Sequence, residues 1–207
     1  ASDNTAIGSC ALLANTTGTC NTAVGKSALA TNQTGVNLTA VGMNALLNNT
    51  ADSNTSVGFN SMCVNSSGAS NTALGVNALK ANTTASDNVA VGNAALTANT
   101  TGASNTAVGR SALKDNTTGA ENVSVGTSAL ENNTTANSNT AVGTNALFTN
   151  TTGATNTALG NGAMFANTTG ASNVAVGKNA LDANTTGGNN IAIGDNALTS
   201  NTTNTTN

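Results

Sequence analysis

Asn156-Thr157-Ala158-Leu159-Gly160, followed by Asn161-Gly162-Ala163-Met164-Phe165-Ala166-Asn167-Thr168-Thr169-Gly170-Ala171-Ser172, is one copy of a unit that fills a chain of 207 residues. Aligned on the glycine that closes the pentapeptide, the copies place Gly8, Gly25, Gly42, Gly58, Gly75, Gly92, Gly109, Gly126, Gly143, Gly160, Gly177 and Gly194 in register. The interval is 17 residues everywhere except between Gly42 and Gly58, where it is 16. A fixed short period means that each repeat is one supersecondary unit stacked on its neighbours. Units starting near residues 4, 21, 38, 54, 71, 88, 105, 122, 139, 156, 173 and 190 make 1–207 a single array, with 202–207 as a low-complexity tail.

Numbered from the opening Asn, the consensus is NTAVGxxALxxNTTGAS. Position 2 is Thr, Val or Ile and position 4 is Val, Ile or Leu, as in Asn173-Val174-Ala175-Val176-Gly177. Such period-two alternation over a β-branched segment predicts a short strand with one apolar face. On this reading positions 2 and 4 face a core, and the row between them carries only Ala or Ser because another backbone passes close above it. Gly at position 5 supplies a turn with positive φ or a second close approach. Positions 6–11 read as a turn and a second short strand, or as one irregular helical turn, with the position-9 Leu in the core. The closing NTTGAS is turn chemistry, and the single deletion falls within it.

Stacking these units predicts an all-β fold, a parallel β-solenoid of twelve rungs of about 17 residues, with rungs about 4.8 Å apart and a rod on the order of 55 Å long. Asn stands at position 12 in every unit and at position 1 in all but one, where Leu38 replaces it. Asn repeated in register fits stacked amide ladders that satisfy backbone groups exposed at a bend. Two large aliphatic side chains per unit bury little apolar area against the ordering of a whole rung, so a second apolar contact is expected. The small row offers it: Ala23, Ala40, Ala73, Ala90, Ala107, Ala141, Ala158, Ala175 and Ala192 are the expected self-association surface, with a homotrimer or an end-to-end polymer as the assembly. Neither end shows an atypical capping repeat, which suggests an excerpt of a longer fibre or end-to-end stacking.

Composition narrows the function. With 3 Phe, no Trp, Tyr, His or Pro, and charged residues at 6%, the chain has little material for a conventional core. A net charge of -3 offers no basic footprint for nucleic acid and no patch for anionic lipid. No stretch approaches the ~20 apolar residues of a membrane span, so neither nucleic acid nor membrane insertion is expected. Without His, and with no base placed near a Ser or Cys, no catalytic residue is identified and an enzyme is not expected. The acidic residues Asp3, Asp52, Asp87, Asp115, Glu121, Glu131, Asp182 and Asp195 occupy scattered positions and lack the calcium-roll pattern, so no metal or cofactor is expected.

Four features remain as candidate sites. Cys10 and Cys20 flank one repeat and are candidates for a disulfide suited to an oxidising exterior, against the alternative of two free thiols. Asn15, Asn32, Asn65, Asn82, Asn99, Asn116, Asn133, Asn150, Asn167, Asn184 and Asn201 each begin N-x-S/T and are formal acceptors for N-glycosylation. The same residues belong to the inward ladder, and a buried amide cannot carry a sugar. The Thr pairs at positions 13 and 14 offer an ice-binding array, although they lie in turns. Phe148 and Phe165, 17 apart, are expected to stack on adjacent rungs.

The NTAVG, NVAVG and NIAIG segments resemble the repeats in head domains of YadA-type trimeric autotransporter adhesins, and those in tail fibres of phages and other viruses. The resemblance covers the whole array, although the unit here is longer and carries the NTTG turn. It implies a trimeric left-handed β-roll, extracellular or on a cell or virion surface, with branched residues such as Val108, Leu159 and Val176 in the core of each roll. The function expected is a structural fibre module, a shaft or an adhesive head. Its partners are further copies of itself, with a host-surface receptor or glycan contacted through variable positions 6 and 10: Lys26, Met43, Phe59, Arg110 and Lys178, and Lys80, Lys114, Phe148 and Phe165. The alternatives are a self-polymerising, glycosylated filament or matrix protein and an ice-binding solenoid.

Overall fold

The structure, a computed structural model, describes residues 1–206. Each unit forms one three-residue strand: β1 (Thr5–Ile7), β2 (Thr22–Val24), β3 (Thr39–Val41), β4 (Thr55–Val57), β5 (Thr72–Leu74), β6 (Val89–Val91), β7 (Thr106–Val108), β8 (Val123–Val125), β9 (Thr140–Val142), β10 (Thr157–Leu159), β11 (Val174–Val176) and β12 (Ile191–Ile193). They pair in chain order as a single parallel sheet. Equivalent positions face one another throughout, Ala23 with Ala40 and Val174 with Ile191, and the register survives the short unit, Val41 pairing with Val57. The chain is therefore a parallel β-solenoid.

Gly at position 5 ends each strand for two reasons that act together. Its φ lies between 125° and 142° in all twelve units, a region closed to side chains. A Cβ on Gly25 would also sit 2.7 Å from the carbonyl carbon of Gly42 in the next rung. The chain then makes two successive turns in place of either a second strand or a helical turn. Ala28 N donates to Gly25 O (3.3 Å) and Asn32 N to Leu29 O (3.2 Å). Position 7 takes the positive φ that a type II turn places at its third residue, which suits the Asn, Ser and Gly found in ten of the units; Cys10 and Ala94 adopt it as well. Position 9 takes it too: Leu29 has φ 52° and Leu113 also 52°. Left-handed backbone costs a residue with a Cβ roughly 1–2 kcal/mol. Complete burial of the leucine offsets that cost, since burying such a side chain contributes about 1.5–3 kcal/mol.

The core is thin and lies on the side opposite to the one expected. Positions 3, 8 and 9 point inward, and Ala107, Ala112 and Leu113 are wholly buried. Positions 2 and 4 point outward. Where Ser replaces the position-3 Ala, its hydroxyl reaches the position-8 carbonyl across the rung: Ser56 Oγ donates to Ser61 O (2.8 Å) and Ser124 Oγ to Ala129 O (2.7 Å). The small side chain does mark a backbone passing close by. That backbone is the opposite wall of the same rung.

Two amide ladders complete the interior. At position 12, Asn133 Nδ2 donates to Asn116 Oδ1 (2.8 Å) on the preceding rung and to Ala136 O (3.1 Å) on its own. At position 1, Asn105 Oδ1 accepts from Asn122 N (3.0 Å), and Asn105 Nδ2 donates to Gly119 O (2.9 Å). Gly119 O also receives Asn116 Nδ2 (2.9 Å), so each position-15 carbonyl ties the two ladders together. The shortened unit interrupts both. Leu38, 1% exposed, replaces the position-1 amide, and Ala51 takes the position-15 place, receiving Asn49 Nδ2 at 2.6 Å. Asn32 Oδ1 is instead satisfied by Gly35 N (3.1 Å), and the ladder resumes with Asn65 Nδ2 on Asn49 Oδ1 (2.7 Å). Leu38 and the missing turn residue thus share one local rearrangement.

Residues 202–206 of the low-complexity tail hydrogen-bond to the array, Thr185 N donating to Thr202 O (2.7 Å) and Asn190 Nδ2 to Asn204 O (2.8 Å). Residue 207 of the expected tail lies outside the described residues.

Candidate functional site

The inward turn of position 3 overturns the expected contact surface. Ala23, Ala40, Ala73, Ala90, Ala107, Ala141, Ala158 and Ala175 are 0% exposed, and Ala192 is 2%. No second chain can reach a row enclosed by its own rung. The face left open is the one formed by positions 2 and 4, the outer surface of the parallel sheet. Leu159 is 47% exposed and Val108 and Val176 are half-buried on that outer surface, so the three residues expected in the core lie outside it. At the array's ends Ile7 and Ile193 reach 61% and 69%. Neither column contains a charge, and position 4 is aliphatic in every rung. The two columns make a continuous uncharged strip along the outer face of the sheet.

The threonines divide into two kinds. Those at position 13 use their hydroxyls to link rungs: Thr100 Oγ1 donates to Thr117 O (3.0 Å) and Thr134 Oγ1 to Thr151 O (3.1 Å). The expected water-ordering role at position 13 therefore meets hydroxyls already bonded to protein. Those at position 2, such as Thr22, Thr39, Thr106, Thr140 and Thr157, stand on the open strand face, and their hydroxyls have no partner among the described residues.

The N-glycosylation expectation also fails at position 12. Asn32, Asn65, Asn82, Asn99, Asn116, Asn133, Asn150, Asn167 and Asn184 are wholly buried, and Asn201 is nearly so. Asn15 is half-buried, with Nδ2 donating to Gly18 O (3.0 Å) and Oδ1 accepting from Asn32 (3.3 Å). Their amides hold the turn together and leave no room for a sugar.

Cys10 and Cys20 are free and exposed, so of the two alternatives the structure has the free thiols and not the disulfide. Cys10 follows β1 and Cys20 precedes β2, which puts them in different columns at opposite ends of the stacked strands. Cys63 is buried, and that burial, partly opposed by Lys80, pushes its thiol above the usual range. Phe148 and Phe165 stack as expected, ring centroids 5.3 Å apart and planes 8° from parallel. Lys114 lies 3.6 Å from Asp115 and 3.4 Å from Glu131; Asp115 and then Glu131 hold its ammonium above the usual lysine range. Among the described residues no cavity is formed, no group of three His, Cys, Asp or Glu converges, and no helix is long and apolar enough to cross a membrane.

Fold and surface together define a β-solenoid repeat protein with one open apolar face. No family model, no curated protein and no solved structure matches the chain.

Proposed function

We propose that this chain is a structural, non-enzymatic module of an extracellular, cell-surface or virion-surface fibre, and that it acts as a homo-oligomer joined through its strand faces. The observation that carries this reading is the uncharged column of Val, Leu and Ile at position 4, uncovered on every rung. Residue exchange along the face supports it. Position 2 alternates among Thr, Val and Ile, keeping the β-branched shape while discarding the hydroxyl, and position 4 never becomes polar. A packing surface requires shape and tolerates loss of the hydroxyl. A homotrimer around the strand faces is the assembly proposed, in line with the resemblance to adhesin heads. Column 10 and the polar residues of column 6, which vary from rung to rung, then face outward for a receptor or glycan.

Sedimentation equilibrium of the purified chain tests this reading. A mass that is an integral multiple of 19.9 kDa, three for the trimer, is expected. A single-chain mass at every concentration would remove the reading. Electron microscopy separates a closed oligomer, seen as short discrete rods, from an end-to-end filament.

The unpartnered position-2 hydroxyls favour a second reading, in which the strand face orders water and binds ice. It requires the face to be free in solution. Absence of thermal hysteresis at high protein concentration would eliminate it.

A further inference from the structure

The strand face is two columns wide along most of the rod. In the third, fourth and fifth rungs it is wider. Position 6 lies two residues beyond position 4, at the edge of the sheet, and in these rungs it holds Met43, Phe59 and Val76, each 41% exposed. Elsewhere the same column is polar: Ser9, Lys26, Asn93, Arg110, Thr127, Thr144, Asn161, Lys178 and Asp195. The three apolar residues are in direct succession, since Asn60 N donates to Met43 O (3.0 Å) and Asn77 N to Phe59 O (3.0 Å). They follow, two residues on, the outward-facing Val41, Val57 and Leu74 of the same three rungs.

We infer that Met43, Phe59 and Val76 form the anchor of the contact between copies of this chain, fixing where along the rod the strand faces meet. The inference rests on the self-association proposed above. Three considerations identify a second copy as the occupant. First, the face repeats every rung, about 4.8 Å, and an identical rod carries the same repeat along its whole length. Second, the face is uncharged, so two copies meet without opposing like charges. Third, twelve rungs and about 14 Å of width make a strip of roughly 770 Å², close to the roughly 800 Å² per partner that a stable contact buries.

An unbroken repeat permits any sliding by one rung at nearly equal energy. A feature confined to three rungs removes that degeneracy, because only one offset covers the aromatic residue and its neighbours. Large apolar side chains at the centre of a contact also contribute more than their number suggests.

The test is a dilution series by light scattering on the wild type, on Met43→Asn/Phe59→Asn/Val76→Asn, and on Thr127→Asn/Thr144→Asn as a control in the same column. Asn occurs in this column at Asn93 and Asn161, so the rung accepts it. Circular dichroism verifies that each variant keeps the β spectrum. The expected result is a dissociation midpoint raised roughly tenfold or more in the first variant and unchanged within about twofold in the control. An oligomer as stable as the wild type in the first variant would overturn the anchor while leaving self-association standing. An equal weakening in the control would overturn it too, because the effect would then belong to the column at large. A wild type that is a single chain at all concentrations would remove the underlying reading and the anchor with it.

Discussion

Gly109 and Gly162 illustrate how differently one residue type is used within a rung. Gly109 has φ 137° and a Cβ there would meet the backbone of Gly126, so it is excluded both by conformation and by contact. Gly109→Ala is expected to destabilise the rod by about 2–3 kcal/mol, seen as a lower thermal midpoint. Gly162 has φ 65°, in a column where Asn is common, and a Cβ there would meet only the flexible Asn179 side chain. Gly162→Asn is expected to change stability by less than about 1 kcal/mol. The glycine requirement at position 5 was legible from its invariance along the array. The left-handed leucine at position 9 was not, because leucine has no preference for that conformation and only the closure of the rung imposes it. The thiols offer a further check. Exposed Cys10 and Cys20 are expected to react rapidly with a thiol reagent in the native protein. Cys63, buried and with its pKa raised, should react only on unfolding.

At the level of the rung, the ladders and the two walls decide what can be replaced. Asn116→Ala would leave Asn99 Oδ1 without its ladder donor, Asn133 Nδ2 without its Oδ1 acceptor and Gly119 O short of one donor. A loss of about 3 kcal/mol or more is expected by denaturant unfolding, since three buried polar groups lose a partner at about 1–3 kcal/mol each. Asn15→Ala, at a half-buried position, should cost less. The walls give the complementary contrast. Ala158→Leu forces a large side chain into a gap one Cβ wide and is expected to cost 3 kcal/mol or more, whereas Leu159→Thr on the outer face should change monomer stability by less than about 1 kcal/mol. Strand, register and ladder could all be read from the repeat. The sidedness could not be read from hydrophobicity alone: period-two alternation separates Val108 from Ala107, but the larger apolar residue goes inside only when there is space for it. Here the space is set by how closely the two walls approach. Ala107 and Ala112 fill it together with Leu113, and the branched residues are left outside.

For the whole molecule, the same reversal moves the proposed interaction surface from a concealed alanine row to an open aliphatic one. Self-association was expected because each rung buries little apolar area against its own ordering. Its location followed only from the fold. The open face carries no charge, so the proposed self-association is expected to vary weakly with salt between about 0.05 and 0.5 M. The most direct test of the central claim combines Val108→Asp and Val125→Asp on adjacent rungs, followed by circular dichroism and light-scattering mass on the same sample. With these side chains outside the rung and between copies, the β spectrum should persist and the mass should fall to the 19.9 kDa of one chain. An intact spectrum with an undiminished oligomer mass would contradict self-association through this face. Loss of the spectrum would contradict the outward orientation on which the account depends.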